Sequence, residues 1–508
     1  MKTRKTLLSL AGTAACLALA ACGADGPGTQ AGAARSTSQY GSLSFEPCTL
    51  ANSAAGQTVQ AQCTTFEVPE DASRPDGRRI GLKLAWLRAT EEGAAQDDPV
   101  FFLAGGPGQS AIEVWPQLDP AFAEVRKQRH VILVDQRGTG GSNPLECDRG
   151  PLATLQGDEA AVTGAIAALA RQCADAVAGR ADPRFYTTTD AVADLEAVRQ
   201  ALGAERIDLV GGSYGTRVAQ QYAARHPAHV RSIVLDGVAP NDLVVGGEFA
   251  TTFEDALELQ AAQCRALPAC AARFPQDPRA QLKLLVERLG QAPVEVEYRD
   301  PGSGESLTGR VDASTVTGLA FMFSYMPQTA ALLPLVLDEA AQGRYAPLKS
   351  LSELMGRSTG SQMASGMQWS VICAEDADRH DEAAAAAQDT LLGPQVARMF
   401  FAACEAWPHG AAPEGFTAPL RSDVPVLLLS GELDPVTPPR YAERVLQGLP
   451  NGRHLVVRGQ GHGTLSLGCM PRLLGQFMES ADATSLDAQC LADMSYVPPF
   501  TSFNGWEP

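Results

Sequence analysis

Histidine is scarce in this chain, with seven in 508 residues. No two cysteines stand at C-x-x-C spacing and no histidine accompanies the cysteine pairs, which argues against a metal cluster. Positive charge is short as well: 40 Lys and Arg face 58 Asp and Glu, a formal charge of −18. So acidic a body repels nucleic-acid backbones and excludes them as partners. After residue 21 no apolar run approaches the roughly 18 residues that a membrane-spanning helix needs, and no internal repeat is present. What is there, 45% hydrophobic and 19% charged residues, is the composition of a soluble globular body. Its length suits either two or three folding units or a single enzyme fold carrying an insertion.

The first residues read as a targeting segment. Lys2, Arg4 and Lys5 form a basic head, an apolar run follows from Leu7 to Ala21, and small residues precede a cysteine. Leu19-Ala20-Ala21-Cys22 resembles a bacterial lipobox, in which Cys22 becomes the first mature residue and carries acyl chains. Each buried CH₂ contributes about 0.8 kcal/mol, so several chains on one residue hold a soluble domain stably at a membrane. Ordinary secretory cleavage nearby is the alternative. The expectation is an exported bacterial lipoprotein facing the periplasm or the cell exterior. Without Cys16 and Cys22, ten of the 12 cysteines remain, an even number that implies five disulfides in an oxidising compartment. Sequence leaves their connectivity open. Pairing of neighbours (Cys48 with Cys63, Cys147 with Cys173, Cys264 with Cys270, Cys373 with Cys404, Cys469 with Cys490) closes only short loops and is the expected arrangement.

Residues 22–40, rich in Gly, Ala, Ser and Thr, read as a flexible tether after a signal peptide at 1–21. Short apolar runs then alternate with helical patterns: Val100 to Leu103, Val131 to Val134, Ile207 to Val210, Ile233 to Leu235, and later Val426 to Leu429 and Leu455 to Val457. Continuous apolar strands separated by helices indicate an α/β fold with a mostly parallel sheet covered on both faces. One connecting helix is legible in detail. Thr189 or Asp190 can cap its start, Val192, Leu195, Val198 and Leu202 form its apolar stripe, and Gly203 can close it. Between Val238 and about Ser422 the strand rhythm stops, and helical patterns surround a polar hairpin-like stretch at Asp300 to Gly304. The expected layout is therefore a first core part at 41–240, an inserted, mainly helical cap with the return to the core at 241–420, and a final core part at 421–508. Within the cap, Leu319 to Met326, with Phe321, Met322, Phe323 and Tyr325, lines a substrate pocket or packs as ordinary core.

Gly211-Gly212-Ser213-Tyr214-Gly215 matches G-x-S-x-G, with a strand before it and a helix after it. A turn that sharp strains the serine's backbone and exposes its Oγ, so the flanking residues must be small. The helix start also favours the negative charge that develops during attack. A serine hydroxyl is a poor nucleophile until a base takes its proton, and the base needs a carboxylate to orient it. His462, in the glycine-rich loop Gly459 to Gly463 after the last strand, is the expected base; His454 and His226 sit at element ends with simpler structural roles. Asp434 follows the strand Val426 to Leu429 at its carboxyl end and is the expected acid. The other reading makes Asp434 a turn cap before Pro435 and His462 a loop residue. For the oxyanion, the amide of Tyr214 is the first donor. Ala104-Gly105-Gly106-Pro107-Gly108 supplies the second at Gly106, because Pro107 has no N–H, although these glycines also suit a tight structural turn. No metal or organic cofactor is expected.

Together these motifs resemble the prolyl aminopeptidase and tripeptidyl aminopeptidase branch of the α/β-hydrolases over most of residues 95–475. The likeness rests on the elbow, on Gly105 to Gly108, on Asp135-Gln136-Arg137-Gly138-Thr139-Gly140-Gly141-Ser142 and on Ser430-Gly431-Glu432-Leu433-Asp434-Pro435-Val436-Thr437-Pro438. Cys404-Glu405-Ala406-Trp407-Pro408 and the closing segment are similar to the tripeptidyl aminopeptidase-like subgroup. Prolyl aminopeptidases usually carry a histidine where Ala104 stands, a departure that bears on proline specificity more than on hydrolysis. The resemblance implies a serine peptidase that releases single residues or short peptides from free amino termini through an acyl-enzyme. Such an enzyme needs a carboxylate for the substrate ammonium, for which Glu375 and Asp376 are the candidates beside the reading of a solvated acidic face. A carboxylesterase with the same triad and a noncatalytic binding lipoprotein are the alternatives. Oligomeric state is not legible.

Overall fold

The computed structural model describes residues 37–52, 56–91, 93–147, 159–360 and 363–505, the side chains of 357–360 excepted; the signal segment, Cys22 and most of the tether lie outside them. Ten strands form one sheet. They are β1 (Ser38–Tyr40), β2 (Leu43–Asn52), β3 (Gln57–Pro69), β4 (Arg79–Leu87), β5 (Val100–Leu103), β6 (Val131–Val134), β7 (Ile207–Gly212) and β8 (Val230–Asp236), followed after a long interval by two more. Within that interval β9 (Val294–Arg299) and β10 (Ser306–Val311) pair as a separate hairpin across the polar turn, and β11 (Val426–Gly431) and β12 (Gly452–Val457) then complete the sheet. The order is β1-β2-β3-β4-β6-β5-β7-β8-β11-β12. From β6 to β12 every pairing is parallel, whereas β1 to β4 and the β4–β6 pair are antiparallel.

The period-2 geometry of a strand explains why the central runs are mostly apolar; the buried Asp208 of β7, paired with Arg129 and Arg231, is an exception. In β5, Phe101 and Leu103 enter one core, with Ile132, Leu209, Leu235 and Leu428, while Val100 and Phe102 enter the opposite core, with Leu133, Val210, Val234 and Leu427. The first core is closed by the helices Thr188–Leu202 and Tyr214–Arg225, the second by Ala111–Leu118 and Met470–Ser480. Full burial of each such side chain contributes about 1.5–3 kcal/mol.

Helices from Phe249–Ala266 to Gln395–Phe401 separate β8 from β11. Many of them share a core of their own, in which Phe253, Leu285, Leu319, Phe323 and Val336 are buried. Leu319 and Phe323 thus pack as cap core.

Three details differ from the sequence reading. Strand β1 begins at Ser38, inside the stretch read as tether, and Tyr40 packs on Trp86 with ring centroids 4.9 Å apart. The helix Thr188–Leu202 is capped by Thr187, with Asp190 completing a capping box from the third position; Gly203 closes it at φ 72°. Strands β1 to β4 were not named: β2 and β3 alternate in burial and offer no continuous apolar run, whereas the apolar end of β4, Leu84 to Leu87, was passed over. The five disulfides join the five neighbour pairs, Cys48–Cys63, Cys147–Cys173, Cys264–Cys270, Cys373–Cys404 and Cys469–Cys490.

Candidate active site

The sheet brings the loops after β5, β7, β8, β11 and β12 together at the carboxyl ends of its parallel strands. The chain leaves β7 through Ser213, whose φ of 53° and ψ of −122° lie where few residues other than glycine go. Space makes the turn obligatory. A side chain at Gly215 would start 2.1 Å from the carbonyl oxygen of Leu103 at the end of β5, so only glycine lets helix and strand approach. Ser213 stays partly exposed at the start of the helix Tyr214–Arg225.

The candidate acid and base follow the last two strands. After β11, Asp434 is buried, and it accepts from the Val436 amide (2.9 Å), the Thr437 amide (2.8 Å) and the Thr437 hydroxyl (2.8 Å). Its Oδ2 stands 2.7 Å from His462 Nδ1. The two loops are laced together, since the Leu433 amide donates to the Gln460 carbonyl at 2.8 Å. Burial raises the Asp434 pKa, but the His462 charge and hydrogen bond and the Thr437 and Val436 amides outweigh it, leaving it below the ordinary value. Burial lowers the His462 pKa, but the Asp434 charge and hydrogen bond, with Asp236 behind them, outweigh it, leaving the imidazole more basic than usual. The His462 side chain keeps 15% exposure, enough to meet a reactant.

Ser213 and His462 flank one dipeptide. The Ser213 amide donates to the Asp236 carbonyl at the end of β8 (2.8 Å), and a side chain on Gly237 would start 3.0 Å from His462 Cε1. The loop after β5 completes the group: a side chain at Gly105 would start 3.1 Å from Ser213 Cβ. Among the described residues neither the Gly106 nor the Tyr214 N–H has a hydrogen-bond acceptor. Asp135, buried after β6, anchors that loop by accepting from the Ser110 hydroxyl (2.6 Å), the Ile112 amide (3.0 Å) and the Gly141 amide (2.9 Å).

Tyr325, which the sequence reading left within a stretch of cap core or pocket lining, touches the base. Its ring meets the imidazole edge-on at 5.4 Å and its carbonyl accepts the His462 amide at 2.8 Å. Thr437 was missed as an acid-holding residue, although it lies in the quoted Asp434-Pro435-Val436-Thr437 motif. His454 and His226 take structural places, the first beside the Ser430 hydroxyl at 3.0 Å, the second capping the helix Tyr214–Arg225.

Glu375 and Asp376 need a correction. They are 3% and 1% exposed and already partnered: Glu375 accepts from the Thr188 amide (2.7 Å) and hydroxyl (2.9 Å), and Asp376 pairs with Arg217 (3.1 Å) and Arg379 (2.7 Å). Burial outweighs Arg217 and pushes the Glu375 carboxyl up to about 7. Carboxylates enclosed in this way brace the helix Tyr214–Arg225 through Arg217, and they offer no exposed acceptor to a substrate ammonium.

A family model described as alpha/beta hydrolase fold matches residues 98–304, and one described as TAP-like protein matches residues 389–490. The chain has the alpha/beta hydrolase fold. Among curated proteins it is similar to serine protease Hip1 of Mycobacterium tuberculosis, 28% identical over 45% of this chain and 46% of that protein. It is also similar to the tripeptidyl aminopeptidase of Streptomyces lividans (29% identical, 35% of each chain). Carboxylesterase B of Mycobacterium tuberculosis is 30% identical over 48% of this chain and 51% of that one. The chain thus spans about half or less of the length of these relatives. A proline iminopeptidase structure from Mycobacterium smegmatis aligns over 83% of this chain and 100% of that one at 16% identity, with a TM-score of 0.40.

Proposed function

We propose that this hydrolase is an exported serine peptidase, lipid-anchored through Cys22, which releases residues or short peptides from free amino termini. The observation that carries the reading is the His462–Asp434 contact of 2.7 Å in a loop pair that faces a strained, partly exposed Ser213 across the Asp236–Gly237 turn. Ser213 Oγ attacks the scissile carbonyl while His462 takes its proton, and Asp434 stabilises the imidazolium that results. The Tyr214 and Gly106 amides receive the oxyanion; each such donor contributes about 3–4 kcal/mol to the transition state. Collapse breaks the C–N bond, His462 protonates the departing amine, and the amino-terminal fragment stays on Ser213 as an ester. Water, deprotonated by His462, then hydrolyses that ester and regenerates the serine.

A cavity of about 550 Å³ lies among the helices between β8 and β11, lined by Ser365, Gln368, Trp369 and Phe400 among others, and none of Ser213, Asp434 and His462 lines it. The relatives' names favour peptide bonds in two cases and an ester in one, so a carboxylesterase remains the second reading. Free and amino-terminally acetylated peptide amides, assayed beside simple esters, decide between them. Acetylation is expected to abolish cleavage, and unchanged turnover of the blocked peptides would reject the exopeptidase assignment.

A further inference from the structure

The carboxylate of Asp236 has no part in the chemistry above, yet it lies between nucleophile and base. It closes β8, is 4% exposed, and its two oxygens accept four hydrogen bonds from the histidine loop. The Thr464 amide reaches Oδ1 at 3.0 Å and Oδ2 at 2.8 Å, the Thr464 hydroxyl reaches Oδ1 at 2.8 Å, and the Leu465 amide reaches Oδ2 at 3.1 Å. Thr464 is two residues beyond His462. The same residue's main chain holds the nucleophile, through the 2.8 Å bond from the Ser213 amide to its carbonyl. The following residue, Gly237, is tied to β11 by its amide bond to the Leu429 carbonyl (3.0 Å), and its left-handed φ of 67° leaves room for the imidazole that a side chain there would strike.

We propose that Asp236 is a positioning residue that clamps the histidine loop to the nucleophile elbow, setting the separation of Ser213 and His462. The inference rests on the serine-hydrolase reading. A charged carboxylate accepting only amide and hydroxyl donors is a rigid device, because burial leaves no water to replace any of the four bonds. Asparagine in its place would turn an NH₂ group toward donors, and the loop would have to move to relieve the conflict. A shift of about 1 Å in a reacting pair costs on the order of a hundredfold in rate. The carboxylate also acts through charge. The titratable groups that face it are His462, from the loop after β12, and beyond that imidazole Asp434, from the loop after β11; the flanking Ser213, Thr437 and Thr464 hydroxyls are neutral. Negative charge at 236 favours the imidazolium, so its loss lowers the pH at which His462 becomes a free base.

The test measures the rate of Ser213 phosphonylation by a fluorophosphonate–rhodamine probe between pH 4 and 9 in the full chain. Asp236→Asn is expected to slow labelling about 10- to 100-fold and to move the acidic limb to lower pH. Thr464→Val, which removes one hydroxyl donor and no charge, is expected to slow it a few-fold, by about the loss of one hydrogen bond, with the limb unmoved. A folded Asp236→Asn protein that labels at the parent rate with an unmoved limb overturns the proposal. If that variant does not fold, Thr464→Val decides, and labelling at the parent rate then overturns it. Ser213→Ala separates the two readings, since persistent labelling there defeats the hydrolase mechanism itself and leaves the clamp without an object.

Discussion

Burial alone would make His462 a weaker base than free histidine, and the carboxylate beside it reverses that outcome. The sign carries into catalysis. General-base attack needs neutral imidazole, so kcat/KM rises with pH through a His462 pKa that lies above the ordinary 6.5. Asp434→Asn removes the charge that holds the proton, and the acidic limb of kcat/KM is expected to move to lower pH while kcat falls at least about a thousandfold. A variant with an unmoved limb and a mild loss would send the orienting role to another acid. Ser213→Ala and His462→Ala are expected to lose at least about a thousandfold in kcat as well, with thermal melting unchanged. The proposed triad of Ser213, Asp434 and His462 was chosen from sequence because glycines, a strand end and chain order all constrain those positions. Tyr325 was not, because its contact with His462 comes from a cap element 137 positions away whose own pattern reads as core. Glu375 and Asp376 misled for the opposite reason: sequence shows two acids but hides their burial and their pairing with Arg217 and Arg379.

At the scale of elements, the Asp135 to Ser142 motif joins pieces of structure. Arg137, 3% exposed, pairs with Asp194 on the helix Thr188–Leu202 at 2.6 Å and donates to the Glu70 and Phe185 carbonyls at 2.7 Å each. Asp194→Ala leaves a guanidinium buried without its counter-charge, and chemical denaturation is expected to register a loss of about 3–5 kcal/mol. A loss below about 1 kcal/mol would mean that the carbonyls suffice. The parallel strands were readable because a strand buried on both faces is apolar at every position. Strands β1 to β4 were not, because stretches such as Gln57 to Pro69 are largely polar and become strand by pairing with neighbours. The helical interval between β8 and β11 was visible only as an interruption of rhythm, since many of its helices bury their stripes on one another.

For the whole molecule, the five disulfides suit a protein exported to an oxidising compartment. The crosslinks are unequal. Cys373–Cys404 closes a separation of 31 residues and Cys264–Cys270 one of 6, so in the chain-entropy model the first stabilises by about 1.5 kcal/mol more. Paired Cys-to-Ala variants are expected to rank accordingly in melting temperature, and the reverse order would show that local packing dominates. Cys22→Ala is expected to move the protein from the detergent phase to the aqueous phase of a Triton X-114 partition, and retention in detergent would contradict lipid anchoring. The account as a whole depends on one alcohol being made nucleophilic by folding. Mass spectrometry of the fluorophosphonate-treated native protein measures that directly: a single adduct on Ser213, lost in His462→Ala and after denaturation, is predicted, whereas an unmodified Ser213 or an adduct on another residue would contradict it.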